Sequence, residues 1–159
     1  MTHYKSYLLK SCTQGDQGFF SGYASLFNTP DLVGDVIKPG AFGKAIQALY
    51  HENVVPKMLW QHDPARVLGR WENLVEDAQG LYVEGQLFTD LPTAQEAYHL
   101  LKRGALDGLS IGFLPMRRTS LTQGGSAIWD LTLLEISLVT FPALPGAKVT
   151  RVKQTLFPS

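Results

Sequence analysis

Short apolar runs separated by turn residues dominate this chain, the signature of strands rather than of long helices. Residues 4–12 and 18–27 are two such runs around Gly15-Asp16-Gln17-Gly18, and they predict a hairpin. Residues 57–62, 67–75 and 81–88 predict three further strands, with Asp77-Ala78-Gln79-Gly80 as the turn between the last two. Residues 108–116 and 127–141 predict another pair around Gln123-Gly124-Gly125-Ser126. Two stretches change period. Phe42, Ala45, Ile46 and Leu49 follow the i, i+3, i+4, i+7 spacing of one helical face, with Pro39-Gly40 at its start. Ala94, Ala97, Tyr98 and Leu101 repeat that spacing. Thr93 and Glu96 are spaced as a capping box, and Lys102-Arg103-Gly104 supplies a basic last turn and a glycine stop. Strands and helices do not alternate as in a doubly wound sheet. The expected class is α+β and β-rich, a mostly antiparallel sheet or barrel with packed helices.

Length and composition narrow the function. A chain of 159 residues fits one domain, 1–159, with one core. No apolar run approaches the roughly 20 residues of a membrane-spanning helix, so no membrane partner is expected. The first residues lack the basic start and apolar stretch of a secretory signal. Cys12 is the single cysteine, which rules out an internal disulfide and leans towards a reducing cytoplasm. Lys plus Arg and Asp plus Glu both total 14, giving zero net charge. A protein that neutralises phosphates carries a positive excess, so nucleic acid is not an expected partner. No metal or cofactor is expected either. Zinc needs clustered His and Cys ligands, and the histidines here are scattered. Gly34-Asp35 and Gly124-Gly125 read as turns rather than phosphate loops leading into helices.

The segment Gly108-Leu109-Ser110-Ile111-Gly112-Phe113 carries the most chemistry. In a strand, Leu109, Ile111 and Phe113 point to one face, suited to a core, while Gly108, Ser110 and Gly112 point to the other. Ser110 then stands between two neighbours without side chains, the clearance a nucleophile needs to meet a peptide backbone. On these residues alone, a bulge or a close packing contact is the commoner reason for two strand glycines. The same residues match Gly-x-Ser-x-Gly, the nucleophile elbow of α/β-hydrolases. That reading fails twice. The residues after Ser110 are a poor helix, and His3, His51, His62 and His99 all precede Ser110, against the order of that triad.

His62 is the candidate base. It lies at the end of a predicted strand, which Pro64 is expected to terminate at Asp63. An imidazole there can be both held and reached, and its ordinary pKa of roughly 6.5 suits proton removal from a serine. A hydrogen-bonded histidine at a sheet edge is the ordinary alternative. His51 and His99 fall at or inside helices, and His3 in the N-terminal stretch. Glu135 is the candidate acid. It sits in Leu133-Leu134-Glu135-Ile136, where a buried carboxylate requires a specific partner. A histidine whose tautomer needs fixing would be one. A solvent-facing edge or a pair with an arginine fits the residues equally well. Asp63 and Asp107 compete for the role, although Asp63 suits a turn cap.

With these residues in place, the chain resembles the prohead (capsid maturation) serine proteases of tailed bacteriophages. Four segments carry the likeness, from about residue 20 to residue 145. They are Gly22-Tyr23-Ala24-Ser25 leading to Asp31-Leu32-Val33-Gly34-Asp35-Val36-Ile37-Lys38-Pro39-Gly40-Ala41-Phe42, then Leu59-Trp60-Gln61-His62-Asp63, then Leu109-Ser110-Ile111-Gly112-Phe113, and last Leu134 to Ala143. The resemblance implies a serine endopeptidase related in fold to the herpesvirus assembly proteases. It implies His62 and Ser110 as the reacting pair. The third member departs from the pattern, since the herpesvirus relatives use a second histidine and this chain offers Glu135. The implied substrates are scaffold and major capsid protein segments, and often the protease itself, cleaved inside the assembling prohead in the host bacterial cytoplasm. A homo-oligomer is compatible with this role, and nucleic-acid binding is not required for it. A non-catalytic capsid or scaffold-associated domain and a small esterase are the competing expectations. Arg117 and Arg118 could order the loop that holds the oxyanion, or simply be exposed charge at a strand end.

Overall fold

The computed structural model describes residues 17–153. In chain order the elements are β1 (Phe19–Leu26), β2 (Val36–Ile37), α1 (Gly43–Glu52), β3 (Lys57–Trp60), β4 (Asp63–Glu76) and β5 (Gly80–Leu87), then α2 (Pro92–Lys102), β6 (Gly108–Ser120), β7 (Ser126–Val139) and β8 (Lys148–Val152). Seven strands hydrogen-bond in the order β7-β3-β4-β5-β1-β8-β6, and β6 pairs back onto β7, which closes a barrel. The short β2 adds to β7 from outside that ring. Most pairings are antiparallel, but β7 has two parallel neighbours, β2 and β3. Closure between β6 and β8 is brief. It rests on the Gly108–Lys148 pairing, with Leu109 N–H donating to the Ala147 carbonyl at 2.9 Å and Val149 N–H to the Asp107 carbonyl at 2.7 Å.

The core forms where alternating strand positions turn inward. Phe20, Met58, Leu68, Trp71, Leu81, Val83, Leu109, Ile136 and Leu138 are all buried in one cluster. Trp71 is its centre: the ring meets Phe20 edge-on at 5.3 Å, and its indole N–H donates to the Ile136 carbonyl at 3.2 Å. Gly85 lies flat against this ring. A Cβ there would come within 2.7 Å of Trp71 Cε3 and 2.6 Å of Met58 Cε. Gly85→Ala is therefore expected to lose about 1–3 kcal/mol through overpacking, read as a lower urea midpoint with an unchanged slope.

The predicted hairpins at 67–88 and 108–141 form, each closed by the expected turn. Asp77 Oδ1 accepts from Gln79 N–H at 2.7 Å and Gly80 N–H at 3.0 Å, an Asx cap. Gly124 and Gly125 adopt φ of 96° and 80°, which only glycine takes freely. The first hairpin's strand over 4–12 lies outside the described residues. The short strands β2 and β8 carry too few residues to show a period and were not expected.

Two local expectations are corrected. The capping box of Thr93 and Glu96 does not form. The helix starts earlier, at Pro92 after an extended Leu91, because proline's fixed φ and missing N–H suit a first helical position. Thr93 Oγ1 instead accepts from the Arg66 guanidinium at 3.2 Å. Pro64 does not end the strand before it. β3 stops at Trp60, Gln61 and His62 make a two-residue turn, and Pro64 is already the second residue of β4. Residues 64–66 bulge out between the Trp60–Asp63 and Leu59–Val67 pairs, so no partner there misses the proline's N–H.

Both helices contribute to the core cluster, α1 through Leu49 and α2 through Ala94, Ala97, Tyr98 and Leu101. The α1 entry is fastened by Glu76, whose carboxylate accepts from Phe42 N–H at 2.8 Å and Gly40 N–H at 3.1 Å. A carboxylate at that position also suits the positive end of the helix dipole.

Candidate active site

Ser110 comes from β6, Glu135 from β7 and His62 from the turn after β3, and both β6 and β3 pair with β7. In the antiparallel β6–β7 ladder Ser110 faces Ser137, and Gly112 faces Glu135. Leu109, Ile136 and Leu138 take the alternate positions and are fully buried inside the barrel. Ser110, Gly112, Glu135 and Ser137 therefore share the outer face. On the far side of β7 the parallel pairing sets Leu59 beside Ser137 and Trp60 beside Leu138. A parallel neighbour carries the end of β3, and the turn after it, towards the same end of β7 as Ser137.

That turn is held in an uncommon shape. Gln61 and His62 both have positive φ, 52° and 61°, as a two-residue hairpin turn of the I′ type requires. Neither is glycine or asparagine, so the surroundings must hold them there. Gln61 N–H donates to the Leu138 carbonyl at 2.9 Å. Its side-chain amide donates to Thr140 Oγ1 at 2.8 Å and accepts from Thr140 N–H at 3.1 Å. His62 N–H donates to Ser137 Oγ at 3.1 Å. Four bonds thus staple two residues onto the end of β7.

The His62 ring reaches back along β7, and Nδ1 bonds Glu135 Oε1. The Glu135 side chain is only 12% exposed, while that of His62 is 45% exposed. The second carboxylate oxygen, Oε2, accepts from Ser137 Oγ at 2.6 Å. With the carboxylate at Nδ1, a neutral ring carries its proton there and leaves Nε2 as the acceptor. Ser110 is 4% exposed. No hydrogen bond joins it to His62 among the described residues. A cavity of about 50 Å³ reaches Ser110, with Ala24, Ile37, Leu109, Ile111 and Leu144 in its wall.

The glycines beside Ser110 serve the commoner of the two purposes such glycines have, close packing. A Cβ at Gly112 would fall 2.4 Å from Glu135 Oε1, and one at Gly108 would fall 2.5 Å from the Val139 carbonyl oxygen. The space is used by the protein's own groups, so close packing, not clearance for a substrate, explains both. Gly112→Ala is expected to displace the Glu135 carboxylate and slow turnover about 10- to 100-fold, since a misplacement on the order of 1 Å can cost that much. Steady-state rates alongside a circular dichroism spectrum matching the parent check this.

Other sequence candidates fall away from the site. Asp63 Oδ1 accepts from Ala65 N–H at 2.9 Å and so caps its own turn. Asp107 is exposed on the loop before β6. Arg117 and Arg118 lie seven and eight residues along β6 from Ser110, roughly 25 Å at the rise of a strand. The Arg117 guanidinium instead sits 5.9 Å over the Trp129 ring. His51 and His99 are exposed on α1 and α2, and His3 lies outside the described residues. No cluster of His, Cys, Asp and Glu among the described residues could hold a metal ion. Reading along the sequence passed over Ser137, Gln61 and Thr140. The one available signal was that Glu135 and Ser137, two residues apart on a strand, share a face.

A closed, β-rich barrel with a carboxylate–histidine pair beside a strand serine defines a class to which known proteins can be compared. Residues 5–157 match the family model of the caudovirus prohead serine proteases, and the chain belongs to that family. It is 35% identical over 148 residues to the prohead protease of Enterobacteria phage HK97, a match covering 91% of this chain. The chain spans 64% of the length of that relative. Among solved structures, the bacteriophage T4 capsid assembly protease shares the fold, with a TM-score of 0.58, 11% identity, and 78% of this chain and 82% of that one covered. The protease of KSHV, solved with a hexapeptide phosphonate inhibitor, gives a TM-score of 0.49 at 15% identity, over 82% of this chain and 63% of that one.

Proposed function

We propose that this chain is a serine endopeptidase of prohead maturation, with Ser110 as nucleophile, His62 as general base and Glu135 as the group that orients His62. The observation that carries the reading is the shared outer face of β6 and β7. There the Glu135 carboxylate meets His62 Nδ1 while Ser110 stands across the ladder from Ser137. Family membership supplies the reaction class.

In this mechanism Nε2 of His62 takes the Ser110 proton as Oγ attacks the peptide carbonyl. The imidazolium that forms is stabilised by the Glu135 carboxylate on its other side. The tetrahedral intermediate collapses when His62 returns the proton to the leaving amine. Water, deprotonated by the same ring, then hydrolyses the acyl-enzyme. No metal or cofactor takes part in these steps.

The substrates in this reading are scaffold and major capsid protein segments, together with the protease's own chain, cleaved inside the assembling prohead. No helix among the described residues is long and apolar enough to cross a membrane. Co-expression with the neighbouring capsid-protein gene, followed by mass spectrometry of the fragments, tests the reading. Defined capsid-protein fragments that vanish with Ser110→Ala are expected. An intact capsid protein would favour a non-catalytic capsid-associated domain. Ester hydrolysis without any protein cleavage would favour an esterase.

A further inference from the structure

Ser137 is fully buried, yet its hydroxyl links the two groups that hold His62. It donates to Glu135 Oε2 at 2.6 Å and accepts from His62 N–H at 3.1 Å. A hydroxyl has one proton, and an ionised carboxylate and a backbone N–H leave no other assignment of donor and acceptor. Each bond removes a separate freedom. The terminal torsion of a glutamate is broad, and a carboxylate held only through Oε1 could rotate away from the plane of the ring. The His62 backbone, at φ 61°, rests in a region that a residue with a side chain leaves unless it is held. One side chain thus fixes the ring through its carboxylate partner and the backbone through its N–H.

We propose that Ser137 is a positioning residue for the reaction. It never meets substrate, and it holds Glu135 and the His62 turn in the arrangement that lets Nε2 face Ser110. The inference rests on the protease reading above, and it concerns the rate of the chemical step rather than substrate binding.

Saturation kinetics of Ser110 phosphonylation by a fluorophosphonate probe, in which Oγ attacks phosphorus and fluoride leaves, test it on the full chain. Ser137→Ala is expected to lower the maximal phosphonylation rate on the order of 10- to 100-fold. The half-saturating probe concentration should stay within about twofold, because binding is untouched. In a Glu135→Gln background the same substitution should cost clearly less than in the parent, since the part of its effect that passes through the carboxylate is already lost while the bond to His62 N–H remains. Ser137→Thr, which keeps the hydroxyl, should recover most of the rate. Should Ser137→Ala fail to fold, Ser137→Cys keeps nearly the volume with only a weak donor, and the same loss is expected. Equal losses in both backgrounds, a change confined to half-saturation, or parent-like phosphonylation by folded Ser137→Ala or Ser137→Cys would overturn the positioning role and leave the protease reading standing. A parent chain that is not phosphonylated at Ser110 would overturn both.

Discussion

Ser110→Ala is expected to abolish cleavage of the capsid-protein substrate and labelling by a fluorophosphonate while leaving the fold unchanged. The loss should reach about 10,000-fold or more, as for other nucleophiles that work with a base as a unit. Stability should change little. The Ser110 hydroxyl has no hydrogen-bond partner among the described residues, so its removal orphans none of them. Its backbone keeps its place opposite Ser137, and its neighbours Gly108 and Gly112 keep their contacts with Val139 and Glu135. Fragment analysis and a thermal melt of the variant check both halves. Capsid-protein cleavage by a well-folded Ser110→Ala chain would remove Ser110 from the reaction.

Glu135→Gln comes second in expected effect, with turnover falling about 100- to 10,000-fold. A neutral amide cannot stabilise the imidazolium, and its NH₂ group can force the wrong tautomer at Nδ1. The loss should be smaller than for Ser110, because an orienting group forms no bond to substrate. The carboxylate also accepts from Ser137, so the glutamine must keep that contact for the comparison to be clean, and a melting temperature near the parent's indicates that it does. Asp63→Asn is the matched control. Asp63 accepts from Ala65 N–H within its own turn, and asparagine can accept the same bond, so near-parent rates are expected. Inactive Asp63→Asn beside fully active, folded Glu135→Gln would transfer the acid role to Asp63.

Much of the fold was legible along the chain because strand and helix periods are local. The 67–75 and 81–88 runs, their Asp77–Gly80 turn and the long pair closed by Gly124-Gly125 needed only neighbouring residues to be read. The apolar face of α2 was equally plain, whereas its start was not. Thr93 and Glu96 have the right spacing for a capping box, but proline's geometry at residue 92 and a distant arginine decided otherwise. The turn at Gln61-His62 was hidden for the same reason. Glutamine does not favour positive φ and histidine visits it only in a minority of cases, and the bonds that hold them come from Leu138, Thr140 and Ser137, more than seventy positions away.

The sequence by itself determined which residues could do chemistry: a serine between two glycines, a histidine at the end of an apolar run, and a carboxylate amid leucines and isoleucine. Side-chain type and spacing carry that information, and both are properties of single segments. Only the tertiary structure decided which of these groups meet. The parallel pairing of β3 with β7 brings the His62 turn to the strand that bears Glu135, and the β6–β7 register puts Ser110 opposite Ser137. Register and strand direction depend on how the whole barrel closes around Trp71 and its neighbours. A one-residue slip of β7 would turn Glu135 and Ser137 into the core and Ile136 to the outside. A carboxylate without partners in that core would be costly, whereas on the outer face Glu135 meets His62 and Ser137.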